Sequence, residues 1–214
     1  MKVQALRVGK RKTDKVSVIL DDDSVVELDP EIVVKFQLRT GMELDEGALA
    51  TLRAEHEKLT ARRRLVRYLS CRKKSMHEAR TYLARLGFPD FAVEAALNAA
   101  LELGLLDDTS FTEAFVRTQK RVAKKGPRAL AHELVGRGVN RAEVEKALEK
   151  NYSLEEQRAL ARAVAAKRLP TLQRSEEPHK TRQRLFRYLM NRGFDPNVCS
   201  EIVEELLGNL EENI

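Results

Sequence analysis

The sequence predicts a mainly α-helical protein, a tandem array of three three-helix repeats preceded by a small β-rich N-terminal cap. Two patterns and a composition point there. An apolar skeleton recurs around Gly87, Gly138 and Gly193, at spacings of 51 and 55 residues, as in a repeat array. Helix-start signals punctuate the chain at matching places. Of 214 residues, 34% are charged and only 5% aromatic, with no Trp; an average domain has roughly 25% charged residues. Ten Gly and six Pro are too few for a loop-rich all-β chain.

The N-terminal residues read as strands. Val3, Ala5 and Arg7 alternate with Lys2, Gln4 and Leu6, and Val16, Val18 and Leu20 share one side of a second run. The run DDDS breaks that pattern before VVEL resumes it, which is the signature of a hairpin. Asp29-Pro30 is an N-cap followed by Pro at the first helical position, opening a short helix to about Leu38 before Gly41. Residues 1–58 form the cap on this reading.

The repeats follow. Four residues before each aligned Gly stand Leu83, Leu134 and Leu189; one after come Phe88, Val139 and Phe194. Six after come Val93, Val144 and Cys199, and ten after Leu97, Leu148 and Val203. Each copy reads helix, Gly-led turn, helix, the Gly suiting the left-handed residue that ends a helix. A further amphipathic helix precedes each pair, marked by Leu65, Tyr68 and Leu69, by Phe111, Phe115 and Val122, and by Leu160, Ala161 and Val164. Ser75-x-x-Glu78, Ser110-x-x-Glu113, Asn140-x-x-Glu143 and Ser153-x-x-Glu156 read as capping boxes, and Asp195-Pro196 opens the last helix. The expected divisions are 60–107, 108–152 and 153–208, with PTLQRSEEPHK inserted in the third copy and an acidic tail over 209–214.

The positive charge is concentrated. Net charge is −2 over residues 1–60, +8 over 61–152 and 0 over 153–214. A central basic patch favours a polyanionic partner. Arg117, Lys120, Arg121 and Lys124 follow helical steps on one face opposite Phe111, Phe115 and Val122, with Lys125 and Arg128 just beyond. Arg63, Arg64, Arg67 and Lys74 make a comparable stripe opposite Leu65 and Leu69. Helix faces kept soluble by Arg and Lys would read the same way, so both readings stand at this point.

Catalytic signatures are missing. No phosphate-binding G-x-x-x-x-G-K-[ST] occurs, and Gly136-Arg137-Gly138 lacks the third glycine of a dinucleotide fingerprint. His56, His77, His132 and His179 have no metal-ligand spacing and read as surface helix residues. Cys199 falls on the apolar skeleton and reads as a small buried hydrophobe. No stretch has the about 18 apolar residues of a membrane span, and the N-terminus lacks an apolar signal region. A soluble, cytoplasmic, monomeric non-enzyme without cofactor or metal is expected.

The residues Leu105-Leu106-Asp107-Asp108, Phe111, Phe115-Val116, Arg121, Lys125-Gly126-Pro127-Arg128, Glu133-Leu134 and Arg137-Gly138-Val139 resemble the signature of the RecX family. Tyr68-Leu69, Arg72, Ser75, Glu78, Leu83 and Gly87-Phe88 match its first helix pair. Thr112 departs from the usual Ala. The resemblance implies repeats that bind along the groove of the RecA–DNA nucleoprotein filament, restraining strand exchange, ATP hydrolysis and coprotease activity, with direct binding of single- and double-stranded DNA as a further family trait. The alternative is a helix-turn-helix DNA-binding protein acting without RecA. A recognition helix would carry exposed Arg, Lys, Asn or Gln near its start, and Phe91-Ala92-Val93-Glu94 carries none.

Overall fold

The computed structural model describes residues 1–9, 15–174 and 177–208; the acidic tail expected over 209–214 lies outside them. Three strands, β1 (Val3–Val8), β2 (Val16–Leu20) and β3 (Val25–Leu28), form an antiparallel sheet in chain order. The alternation in the second run is realised: Val16, Val18 and Leu20 are all buried. The hairpin turn is held by Ser24, whose N–H and hydroxyl both donate to the Asp22 carboxylate. Helix α1 (Pro30–Lys35) starts as expected, with Asp29 accepting from the Glu31 N–H.

The next helix departs from the sequence pattern. Helix α2 runs unbroken over Glu46–Ser70, so the division expected at 58–60 falls inside it. No breaker interrupts the stretch after Gly47, and Asp45 caps its start through the Ala48 N–H. Leu49 and Leu52 in its first half pack with Val3, Val18, Leu20 and Leu28 of the sheet. Ala61 and Leu65 in its second half are fully buried, and that helix neighbours α4 (Asp90–Glu102). His56 corrects its expected surface position: it is buried, and its Nδ1 accepts the Asp29 N–H at 3.0 Å. Burial, the largest cause, and the Lys15 charge push its pKa down.

Seven further helices complete the described chain: α3 (Met76–Arg85), α5 (Asp108–Val122), α6 (Pro127–Gly136), α7 (Arg141–Asn151), α8 (Leu154–Gln173), α9 (Pro178–Asn191) and α10 (Pro196–Leu207). The repeated skeleton is the core. Leu83, Leu134 and Leu189 are fully buried, as are Phe194 and Cys199, and Val93, Val144 and Val203 nearly so. Burial raises the Cys199 thiol pKa to about 11, as befits an inert thiol. Gly87, Gly138 and Gly193 all adopt left-handed φ, of 84°, 76° and 83°. In each copy the N–H after the Gly donates to the carbonyl of the Leu four residues before it. This is the 6→1 bond of a Schellman motif, made three times.

Two of the four capping patterns resolve differently, those of Asn140, which accepts the Ala142 N–H and not that of Glu143, and of Ser110. Ser75 and Ser153 close reciprocal capping boxes with Glu78 and Glu156, but α5 is capped by Asp107, which accepts the Ser110 N–H. A carboxylate three residues earlier outcompetes the Ser hydroxyl there. The insertion in the third copy largely extends helices: α8 continues through Pro170 to Gln173, and Pro178 opens α9.

The chain divides into two compact units, Met1–Lys73 with Ala79–Leu106, and Lys74–Glu78 with Asp107–Ile214. No helix among the described residues is long and apolar enough to cross a membrane.

Candidate functional site

The basic residues of the sequence reading meet different fates. In the first unit Arg63 is exposed but engaged, its guanidinium held by Asp29 and by Glu31 at 2.7 Å, so it ties α2 to the start of α1. Arg64 and Arg67 are exposed on α2. Lys74 is no part of that stripe. It lies beyond the end of α2, is buried, and belongs to the second unit.

The stripe expected on α5 is likewise redistributed. Arg117 is exposed and pairs weakly with Glu113 at 3.4 Å, and Arg121 is exposed. Lys120 is half-buried and structural: its ammonium donates to the Asn151 carbonyl at 2.8 Å, pairs with Glu156 at 2.7 Å and sits 4.8 Å from the centre of the Tyr152 ring. Tyr152 in turn donates its hydroxyl to the Lys125 carbonyl, and burial raises its pKa. Val122, expected on the core side, is 69% exposed; Phe111, Thr112 and Val116 carry the buried face. Thr112 sits there without an orphaned hydroxyl, because it donates to the Asp108 carbonyl at 2.6 Å. Lys124 is not on the helix at all. The helix stops at Val122 with Ala123 as its C-cap, and Lys124 takes a left-handed φ of 51°.

The Lys125-Gly126-Pro127-Arg128 break is a structural joint. The Gly126 N–H donates to the Arg192 carbonyl at 2.8 Å and the Arg128 N–H to the Gly193 carbonyl at 3.0 Å. Pro127 begins α6, where a missing N–H costs nothing. Lys125 pairs with Glu133, leaving Arg128 exposed on the surface. A related joint recurs at the turn after α6. The Ser75 hydroxyl donates to the Arg137 carbonyl at 2.7 Å, and the Arg137 guanidinium binds Glu78 and lies 5.0 Å from the Phe115 ring centre. Asp108 accepts the Met76 N–H beside this joint; burial, ahead of the neighbouring Asp107 and Glu78 charges, raises its pKa.

Sequence reasoning missed three cations that the fold brings to Lys124. Lys167 and Arg168 near the end of α8, and Arg192 after α9, line one cleft with Lys124 and Tyr188. Arg192 was legible as the counterpart of Arg137, since each precedes its repeat's glycine. Lys167-Arg168 had no such signal, because residues 153–214 are neutral as a whole. Among the described residues no cluster of three or more His, Cys, Asp or Glu is placed to hold a metal ion.

Comparison with known proteins agrees with this architecture. Profiles described as the second and third three-helix domains of RecX match residues 107–148 and 155–203. A regulatory protein RecX from Levilactobacillus brevis is 31% identical over 96% of this chain and 77% of its own length. One from Halalkalibacterium halodurans is 30% identical over 98% of this chain and 80% of its own length. A crystal structure of regulatory protein RecX superposes with a TM-score of 0.73 at 25% identity, covering 94% of this chain and 98% of that one. Sequence likeness along nearly the whole chain, repeat domains at the same places and a shared fold thus agree, and the protein belongs to the RecX family.

Proposed function

We propose that this chain is a non-catalytic regulator that binds the RecA–DNA filament and restrains RecA's recombinase, ATPase and coprotease activities. The observation that carries the reading is the likeness to proteins named regulatory protein RecX over almost the full chain. The exposed Arg64, Arg67, Arg121 and Arg128 support an acidic or nucleic-acid partner, since uncompensated surface charge steers association with the opposite sign. The helix-turn-helix alternative has less support. The third helices of the repeats begin with exposed Phe91, with Arg141 paired to Glu145 at 3.2 Å, and with the lone amide Asn197, a sparse set for reading base edges. The test is RecA's ATP hydrolysis on single-stranded DNA while the purified chain is titrated in. Turnover should fall in proportion to the chain added, and the chain alone should hydrolyse nothing. Unchanged RecA turnover at saturating chain would overturn the reading.

A further inference from the structure

Four cations converge in the cleft of about 450 Å³ bounded by the end of α5, α8 and α9, and among the described residues its lining contains no carboxylate. Lys124, Lys167, Arg168 and Arg192 make no ion pair among the described residues. The contrast lies on α8 itself. Its earlier arginines are neutralised by α10: Arg158 meets Glu201 at 2.9 Å, and Arg162 grips Glu205 with two bonds at 2.7 and 2.6 Å. One and a half turns later the same helix presents Lys167 and Arg168 to a cleft that no carboxylate lines among the described residues.

The cations are also arranged. The guanidinium carbons of Arg168 and Arg192 lie 5.6 and 5.3 Å from the centre of the Tyr188 ring. The negative π-face of the Tyr188 ring attracts each guanidinium, so both are oriented against one side chain of the cleft. Arg192 is fixed further by donating to the Ala123 carbonyl at 2.9 Å. Lys124 reaches the cleft from a left-handed residue with φ 51°, a conformation that L side chains adopt at a cost. Helices α3, α4, α6 and α9 each place a glycine, Gly87, Gly104, Gly138 or Gly193, at that left-handed position. Helix α5 places a charge there instead.

We propose that this cleft is a nucleotide-phosphate site, with Arg168 and Arg192 presenting their forks to phosphate oxygens and Lys124 and Lys167 supplying point charges. A phosphate fits better than a side-chain carboxylate because guanidinium forks match its geometry, and four cations over-compensate a single carboxylate. The cleft's size lies within the usual range for one small ligand, so it holds a nucleotide unit rather than a length of duplex. The phosphate has two sources, a single DNA strand or a free nucleotide. This deepens the filament reading by naming where a strand's phosphates would sit, yet it is tested without RecA, so the two can fail separately.

The experiment measures binding of the full-length chain to a labelled oligothymidylate across a salt series, and to ATP by calorimetry. The variants are the triple Lys124→Gly, Lys167→Gln, Arg168→Gln and the single Lys124→Gly. The triple variant should bind the oligonucleotide at least about tenfold more weakly at low salt, with the log–log salt slope shallower by about two units, since each lost single-strand phosphate contact removes about 0.7. Arg158→Gln and Arg162→Gln, whose charges are already paired, should change that slope little. Lys124→Gly alone should keep or raise the melting temperature while weakening binding, which keeps the test readable if the triple variant is unstable. Loss of ATP binding in the variants, with no oligonucleotide binding by the parent, would assign the site to a free nucleotide. The proposal is overturned if the parent binds neither probe, or if the folded variants bind both as the parent does. An acidic peptide whose binding alone depends on these residues would also overturn it.

Discussion

Gly126 and Gly193 lie backbone against backbone. A β-carbon on Gly126 would stand under 3.0 Å from the Gly193 carbonyl carbon and oxygen, and one on Gly193 would meet Ala129 at a similar separation. Two backbone hydrogen bonds, Gly126 N–H to Arg192 carbonyl and Arg128 N–H to Gly193 carbonyl, close the joint. A close approach of this kind is open only to residues without side chains.

Gly126→Ala should therefore destabilise the second unit by about 2–3 kcal/mol, in the range for overpacking a well-filled site. Gly193→Ala should cost at least as much, because the left-handed φ adds strain to the clash. Urea denaturation checks both. A loss under about 0.5 kcal/mol for either would mean that the joint yields easily.

The α5 cations should separate into two classes. Arg117→Gln and Arg121→Gln should each change stability by less than about 0.5 kcal/mol, as exposed substitutions usually do. Lys120→Gln should cost about 1 kcal/mol or more, because it removes the ammonium that the Asn151 carbonyl and Glu156 share. Equal effects at the three positions would remove the structural role assigned to Lys120.

Stability should fall on mild acidification through His56. Its folded pKa is depressed, so the unfolded chain takes up the proton first as pH falls. The contribution is present above the unfolded value of about 6.5 and is lost as pH drops through the lower folded value. His56→Gln keeps an acceptor for the Asp29 N–H without titrating. The slope of the urea midpoint against pH just below 6.5 should flatten in that variant; an unaltered slope would assign the acid sensitivity elsewhere.

Thr181 is buried in α9, and its hydroxyl has no hydrogen-bond partner among the described residues. Thr181→Val removes that unsatisfied group at nearly constant volume and should raise stability by about 1 kcal/mol. A destabilised variant would show that the hydroxyl is in fact satisfied, by water for example.

The repeats were legible in the sequence for a local reason. A Schellman turn needs a glycine at one residue and apolar contacts at fixed offsets, so Leu83, Leu134 and Leu189 announce themselves by spacing alone. The sheet was legible through the alternation at Val16, Val18 and Leu20. The length of α2 was not, because its apolar positions serve two neighbours in turn, the sheet through Leu49 and Leu52 and the repeat through Ala61 and Leu65, and no single stripe marks it. His56 was misread for the same reason, its partner being a backbone N–H 27 residues away.

Which cations are available was decided by tertiary structure. Periodicity placed Lys120 and Arg121 on one helix with Arg117, but only the position of Asn151, Tyr152 and Glu156 makes Lys120 a structural tie. Lys124 left the stripe because the helix ends at Val122 and Lys124 itself takes the left-handed turn that follows. Lys167, Arg168 and Arg192 come from helices far along the chain, and their charges vanish in a segment sum that includes Glu201 and Glu205. Sequence spacing reports which residues share a helix face, because helical geometry is local. Whether a charge is paired depends on groups that only folding brings within a few ångströms, and that decides where the free positive field of this protein lies.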